Sequence, residues 1–141
     1  MVASVLVDTG ALLALLDEND EWSRTCTAAV RQLRLPLATS EAVLTELFYL
    51  AGSNSYRMEE AWTLVRSGML VLLPIDHSEL PALHALMSRS ADRPMDFADA
   101  TLVYLAQREG ISTVFTVDHA DFETYRIDGR RRFRIIPARR P

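Results

Sequence analysis

Val2-Ala-Ser-Val-Leu-Val-Asp-Thr-Gly-Ala-Leu-Leu-Ala-Leu-Leu16 decides the fold class. The apolar run through Val7 reads as a short buried strand, Asp8-Thr9-Gly10 ends it, and Ala11 to Leu16 reads as a helix, giving a strand-turn-helix unit. The alternation continues outward. The pattern predicts a helix over 21–33, a brief strand over 36–38, and a helix over 41–51 capped by Thr39 or Ser40 and stopped by Gly52. A helix over 58–66 ends at Gly68 and leads into the apolar strand 69–73, closed by Pro74. Residues 76–90 read as largely helical, provided Pro81 falls in the first turn. A helix over 97–108 is stopped by Gly110, a buried strand follows at 113–117, and 133–136 reads as an edge strand. Apolar runs rather than in-out alternation point to an α/β fold with a mainly parallel central sheet and helices on both faces.

With 49% hydrophobic and 24% charged residues among 141, the chain has the balance of a globular protein and the length of one domain. A single domain over 1–141 is expected, with an Arg-rich C-terminal segment at 126–141. The apolar stretches 5–16 and 69–75 are too short to span a bilayer. No basic residues precede an apolar core at the N-terminus, so no secretory signal is read there and a cytoplasmic location is expected. Cys26 is the only cysteine, which excludes an intrachain disulfide and a thiolate metal centre built within one chain. It reads as a small core residue on a helix. A Gly-x-Ser-x-Gly nucleophile elbow and a glycine-rich phosphate loop are both absent, arguing against serine-nucleophile and nucleotide chemistry.

The net charge of −4 is unevenly spread. Residues 1–125 hold 8 Arg and 18 acids, or −10, whereas 126–141 hold 7 Arg and Asp128, or +6. Every basic residue is arginine, suited to bidentate phosphate or carboxylate contacts. The blandest reading of the segment 130–141 is a solvated extension; Arg126, Arg130, Arg131, Arg132 and Arg134 are also the obvious supply of positive charge for an anionic polymer.

Several acids do not fit a plain surface. Asp8 and Asp118 each follow an apolar strand, so both fall at the carboxyl edge of the sheet, where α/β proteins bind ligands. A turn aspartate also serves local hydrogen bonding alone. At about 100° per residue, Asp99 interrupts the apolar stripe of Ala98, Leu102 and Leu105. Asp96 borders that stripe and either joins Asp99 or caps the helix, the cap being favoured. Glu46 borders the arc of Val43, Leu47 and Leu50 and is the better inward candidate, while Glu41 lies farther round. Carboxylates packed together repel one another unless a cation neutralises them, and no lysine is present; arginine or a hard divalent ion such as Mg2+ or Mn2+ fits that need.

Val5-Leu-Val-Asp8-Thr-Gly-Ala-Leu12, Ser40-Glu-Ala-Val-Leu-Thr-Glu46, Asp96-Phe-Ala-Asp99-Ala-Thr-Leu-Val103 and Phe115-Thr-Val-Asp118 with Asp121-Phe122 together resemble the PIN-domain family, and within it the VapC-like toxin ribonucleases. The resemblance covers nearly the whole chain in the family's order. It implies a PIN-like three-layer fold and metal-dependent hydrolysis of RNA. By this resemblance Asp8, Glu46 and Asp99 match the principal metal-binding acids and Asp118 the more variable fourth. Thr9 and Thr116 match polar positions beside them, and Asp96 and Asp121 match acids found in some relatives only. The implied cofactor is Mg2+ or Mn2+, and the implied partners are RNA, a small VapB-like antitoxin and a second copy of the chain. His119 reads as an exposed loop residue that the mechanism does not require. No substrate-reading motif matches, so the target RNA stays open. Two alternatives stand beside this reading: a PIN-like binding module with weak or lost nuclease activity, and a metal-dependent phosphohydrolase. Asp8 is followed by Thr9-Gly10 rather than by the Asp-x-Asp start of haloacid-dehalogenase-like phosphatases.

Overall fold

The computed structural model describes residues 2–90 and 94–138. Strand β1 (Val5–Val7) is followed by helices α1 (Thr9–Leu16) and α2 (Ser23–Val30), then by β2 (Leu37–Thr39). Helices α3 (Glu41–Ala51) and α4 (Ser55–Arg66) lead to β3 (Leu70–Leu72). A 3-10 turn at His77–Glu79 opens α5 (Leu80–Arg89), and α6 (Phe97–Glu109) precedes β4 (Thr113–Phe115). Helix α7 (His119–Thr124) and the hairpin of β5 (Arg126–Ile127) and β6 (Arg131–Arg132) feed the last strand, β7 (Arg134–Ile136).

The sheet runs β3-β2-β1-β4-β7 with every neighbouring pair parallel. Helix α1 packs on α2 and α3, and α5 on α6; by the right-handed crossover rule for parallel strands, α1 to α4 fall on one face and α5 to α7 on the other. The central strands are therefore covered on both sides, which is why Leu6, Val7, Ala38, Val114 and Phe115 are fully buried and why their sequence shows apolar runs instead of alternation. The expected α/β architecture is the observed one. The chain leaves β1 toward β2 on one side, while β4 lies on the other. The crevice at the carboxyl ends of β1 and β4 is thus the switch point where such sheets bind ligands.

Helix ends follow their caps. Ser40, not Thr39, caps α3 by accepting the Val43 N–H, and Asp96 caps α6 by accepting the Asp99 N–H. Gly110 closes α6 in the left-handed region at φ 68°, where a side chain is strained. Pro81 lies in the first turn of α5, as its missing N–H requires. Arg108 ties α6 to the start of α5, donating to the Pro74 carbonyl at 2.7 Å and to Glu79 at 2.9 Å, while Tyr104 also donates to Glu79. These bonds hold the Glu79 carboxyl at about 2, the Tyr104 bond having the largest effect.

Four expectations need correction. Helix α4 starts a turn before residue 58, because Asn54 caps it by accepting the Arg57 N–H. Helix α7 and the β5–β6 hairpin were not expected; Asp128 and Gly129, both at positive φ, make its turn. The segment from 130 is no solvated extension: the edge strand expected over 133–136 forms as β7, paired with β4, and Phe133 and Pro137 are buried. Its last residues, 139–141, lie outside the described residues. His119 is not an exposed loop residue: it begins α7, stacks on Trp22 at 5.5 Å, and bonds the Pro137 carbonyl at 2.6 Å.

Candidate active site

One cleft of about 240 Å³ at the switch point is lined by Asp8, Glu46, Asp96, Asp99, Asp118 and Asp121, with Thr9, Gly10 and Val117 among its walls. All six acids singled out from the sequence meet there. Five of them arrive at three helix N-termini, those of α1, α6 and α7. Asp8 caps α1, accepting the Ala11 N–H at 3.4 Å; Asp118 caps α7, accepting the Asp121 N–H at 3.2 Å; and Asp96 caps α6 at 2.8 Å. Asp99 sits in the first turn of α6 and Asp121 in that of α7. The positive ends of these helix dipoles offset part of the charge gathered there. Glu46 reaches the cleft from the middle of α3 and is exposed, at the rim rather than inward.

Buried hydroxyls tie together the elements around the cleft. Thr116 donates to Asp8 Oδ2 at 2.6 Å and accepts the Asp118 N–H at 3.0 Å, linking the strand-end acid to the β4–α7 turn. Thr39 donates to the Val7 carbonyl at 2.8 Å, Ser40 and Thr101 share a hydrogen bond of 2.7 Å, and Thr9 reaches the Val43 carbonyl at 3.5 Å. Gly10 is required by close approach: a Cβ there would lie 2.7 Å from Val117 Cγ2. Tyr125, almost fully buried just past α7, donates its hydroxyl to Asp99 Oδ2 at 2.7 Å. Nothing in the sequence singles Tyr125 out, because the contact spans 26 positions and depends on the path of α7.

Burial pushes the Asp8 carboxyl up to about 6, with the bonds from Thr116 and Ala11 opposing and the charges of Asp118 and Glu46 adding. Asp99 is pushed up to about 7, again by burial first, with Tyr125 opposing and Asp96, Asp8 and Asp118 adding. Both acids therefore hold their protons to a higher pH than ordinary aspartates do, Asp99 more than Asp8. Carboxylate oxygens of Asp99, Asp118 and Asp121 lie within 4.8 Å of one another, so Asp121, a peripheral position in the sequence reading, belongs to the tightest trio. No basic side chain is among the described residues lining the cleft. Converging hard oxygen donors with that charge deficit fit a divalent cation. Among the described residues, no arginine of the C-terminal segment lines it: Arg126 binds the carbonyls of Glu123, Thr124 and Tyr125, and Arg131 pairs with Asp128.

A sheet of this order with acids gathered at the ends of β1 and β4 defines a class of α/β protein with an acidic switch-point site, and the PIN domain model matches residues 5–127. The chain belongs to the PIN-domain family. It is 27% identical over 135 residues to ribonuclease VapC26 of Mycobacterium tuberculosis, a match covering 94% of this chain and 100% of that protein. Its fold is similar to the crystal structure of Mycobacterium tuberculosis VapC20, described as a sarcin-ricin loop cleaving toxin. That likeness has a TM-score of 0.75 at 20% identity and covers 82% of this chain and 91% of that one.

Proposed function

We propose that this chain is a metal-dependent endoribonuclease, the toxin of a type II toxin-antitoxin pair, acting in the cytoplasm as a single PIN-like domain. The observation that carries the reading is the single cleft holding six carboxylates and, among its described lining, no basic side chain. The family and the ribonuclease relative supply the substrate class.

Asp8, Glu46, Asp99 and Asp118 are the residues assigned to hold Mg2+ or Mn2+, with Asp121 beside them and Asp96 in support. A bound divalent ion would supply an acidified water and offset charge on the leaving oxygen. Thr116 fixes the orientation of Asp8 and of the Asp118 backbone at once, and Thr9 fastens the start of α1 to α3. The acids orient the cation site, and no side chain forms a covalent intermediate with RNA. No helix among the described residues is long and apolar enough to cross a membrane.

The reading includes a homodimer and a small VapB-like antitoxin as partners. Large apolar side chains left exposed at Tyr49, Leu50, Tyr56 and Trp62 on α3 and α4 support a protein contact there. The deciding experiment incubates the protein with a cellular RNA pool in EDTA, Mg2+ or Mn2+ and maps new RNA ends, alongside Asp8→Asn. Cleavage that requires the metal and disappears in the variant is expected; undiminished cleavage by the variant removes Asp8 from the role assigned.

A further inference from the structure

We infer that Tyr125 is a positioning residue whose hydroxyl, held on Asp99 Oδ2 at 2.7 Å, keeps Asp99 to single-oxygen ligation and so biases the cleft toward Mg2+ and Mn2+ over Ca2+. The inference rests on the metal-dependent reading above and deepens it.

A carboxylate that chelates an ion with both oxygens must turn both toward it. Asp99 has a tyrosine hydroxyl fixed on one of them. Tyr125 is 4% exposed, and its ring meets Phe122 edge-on at 5.1 Å, while Phe122 in turn meets Phe133 at 5.4 Å. The phenol is therefore anchored by the aromatic cluster and lacks freedom to swing away when an ion arrives. Thr116 binds Asp8 Oδ2 at 2.6 Å in the same manner, so Asp8 and Asp99 each carry a hydroxyl on one oxygen. Small octahedral ions accept one oxygen from each carboxylate, whereas Ca2+ takes more oxygen ligands and readily uses carboxylates with both. A hydroxyl on the second oxygen thus penalises the larger ion. Hydrogen-bond partners behind metal ligands typically change affinity by 10–100-fold.

The test titrates the full chain and Tyr125→Phe with Mg2+, Mn2+ and Ca2+ separately, reading Kd by calorimetry without RNA. The ring packing is kept and only the hydroxyl is lost. Mg2+ and Mn2+ affinity are expected to fall ~10-fold with Ca2+ affinity equal or higher, so that the ratio of Ca2+ to Mg2+ affinity rises by at least that factor. An unchanged ratio overturns the inference while leaving the metal-dependent reading intact; a wild-type chain that binds none of the three ions removes that reading instead. Phe122→Leu perturbs the same aromatic cluster without touching the hydroxyl, and a ratio that moves as far in it assigns the effect to packing and also overturns the inference. Should Tyr125→Phe not fold, the Cζ resonance of Tyr125 in 13C-tyrosine-labelled wild type decides: it is expected to shift in step with Mg2+ binding, and a resonance indifferent to the ion is the contrary result.

Discussion

Asp8 is a carboxylate placed largely out of solvent, 8% exposed at the end of a buried strand. Its carboxyl rises to about 6 and that of Asp99 to about 7, from 3.8 for each. In the metal-free protein the folded state then binds more protons than the unfolded chain between about pH 4 and 7. Stability consequently falls as pH rises through that window, by roughly 3 kcal/mol for Asp8 alone at ~1.4 kcal/mol per pKa unit. Thermal melts in EDTA are expected to give a higher Tm near pH 5 than at pH 8, and saturating Mg2+ to flatten the difference; a Tm in EDTA that climbs from pH 5 to pH 8 would count against these assignments. Asp8→Asn keeps the bond from Thr116 and removes the charge, so its metal-free Tm at pH 8 should exceed that of wild type. Its metal-dependent cleavage should drop ~100-fold or more, since even partners behind metal ligands are worth 10–100-fold.

Helix α6 shows how an element carries both stability and chemistry. Asp96 caps it through the Asp99 N–H at 2.8 Å and also lines the cleft, so the two uses weighed from the sequence are both made. Asp96→Ala is expected to cost about 1 kcal/mol in denaturant unfolding, the usual worth of an N-cap. Asp96→Asn keeps the cap and should retain wild-type stability while weakening Mg2+ binding; equal Mg2+ affinity in the two proteins would confine Asp96 to capping. Elements with strong end signals, such as α3 behind Ser40 and α6 between Asp96 and Gly110, were legible in the sequence, and so was the convergence of Asp8 and Asp118 at strand ends. Helix α7 was not, because only Phe122 is buried along it and so short a segment offers no apolar period. The β5–β6 hairpin was hidden by exposed arginines flanking Asp128-Gly129, although that pair is a strong turn signal. Tyr125 and the Ser40–Thr101 bond depend on how separate elements pack, which periodicity along one element does not encode.

At the scale of the whole molecule, an acidic body and a basic C-terminal segment set the terms on which a polyanion would be met. The cleft and its surroundings repel RNA in the absence of a metal, so net attraction must come from elsewhere on the surface. Arg130, Arg132 and Arg134 are exposed, whereas Arg126 is committed to helix carbonyls and Arg131 to Asp128. Truncating at Gly129 would test this badly, since it removes β7 from the sheet edge and Phe133 from the core. Replacing Arg130, Arg132 and Arg134 together with Ser preserves the strand backbone and removes three exposed charges. If these side chains meet phosphates, RNA affinity falls and the dependence of log K on log salt becomes shallower by about 2, at ~0.7 per phosphate contact on a single strand. The measurement is fluorescence anisotropy of a labelled RNA over a salt series, made with the Asp8→Asn background so that cleavage does not intervene. A slope identical to that of the parent would take RNA off this segment and leave its arginines to a protein partner or to solvent.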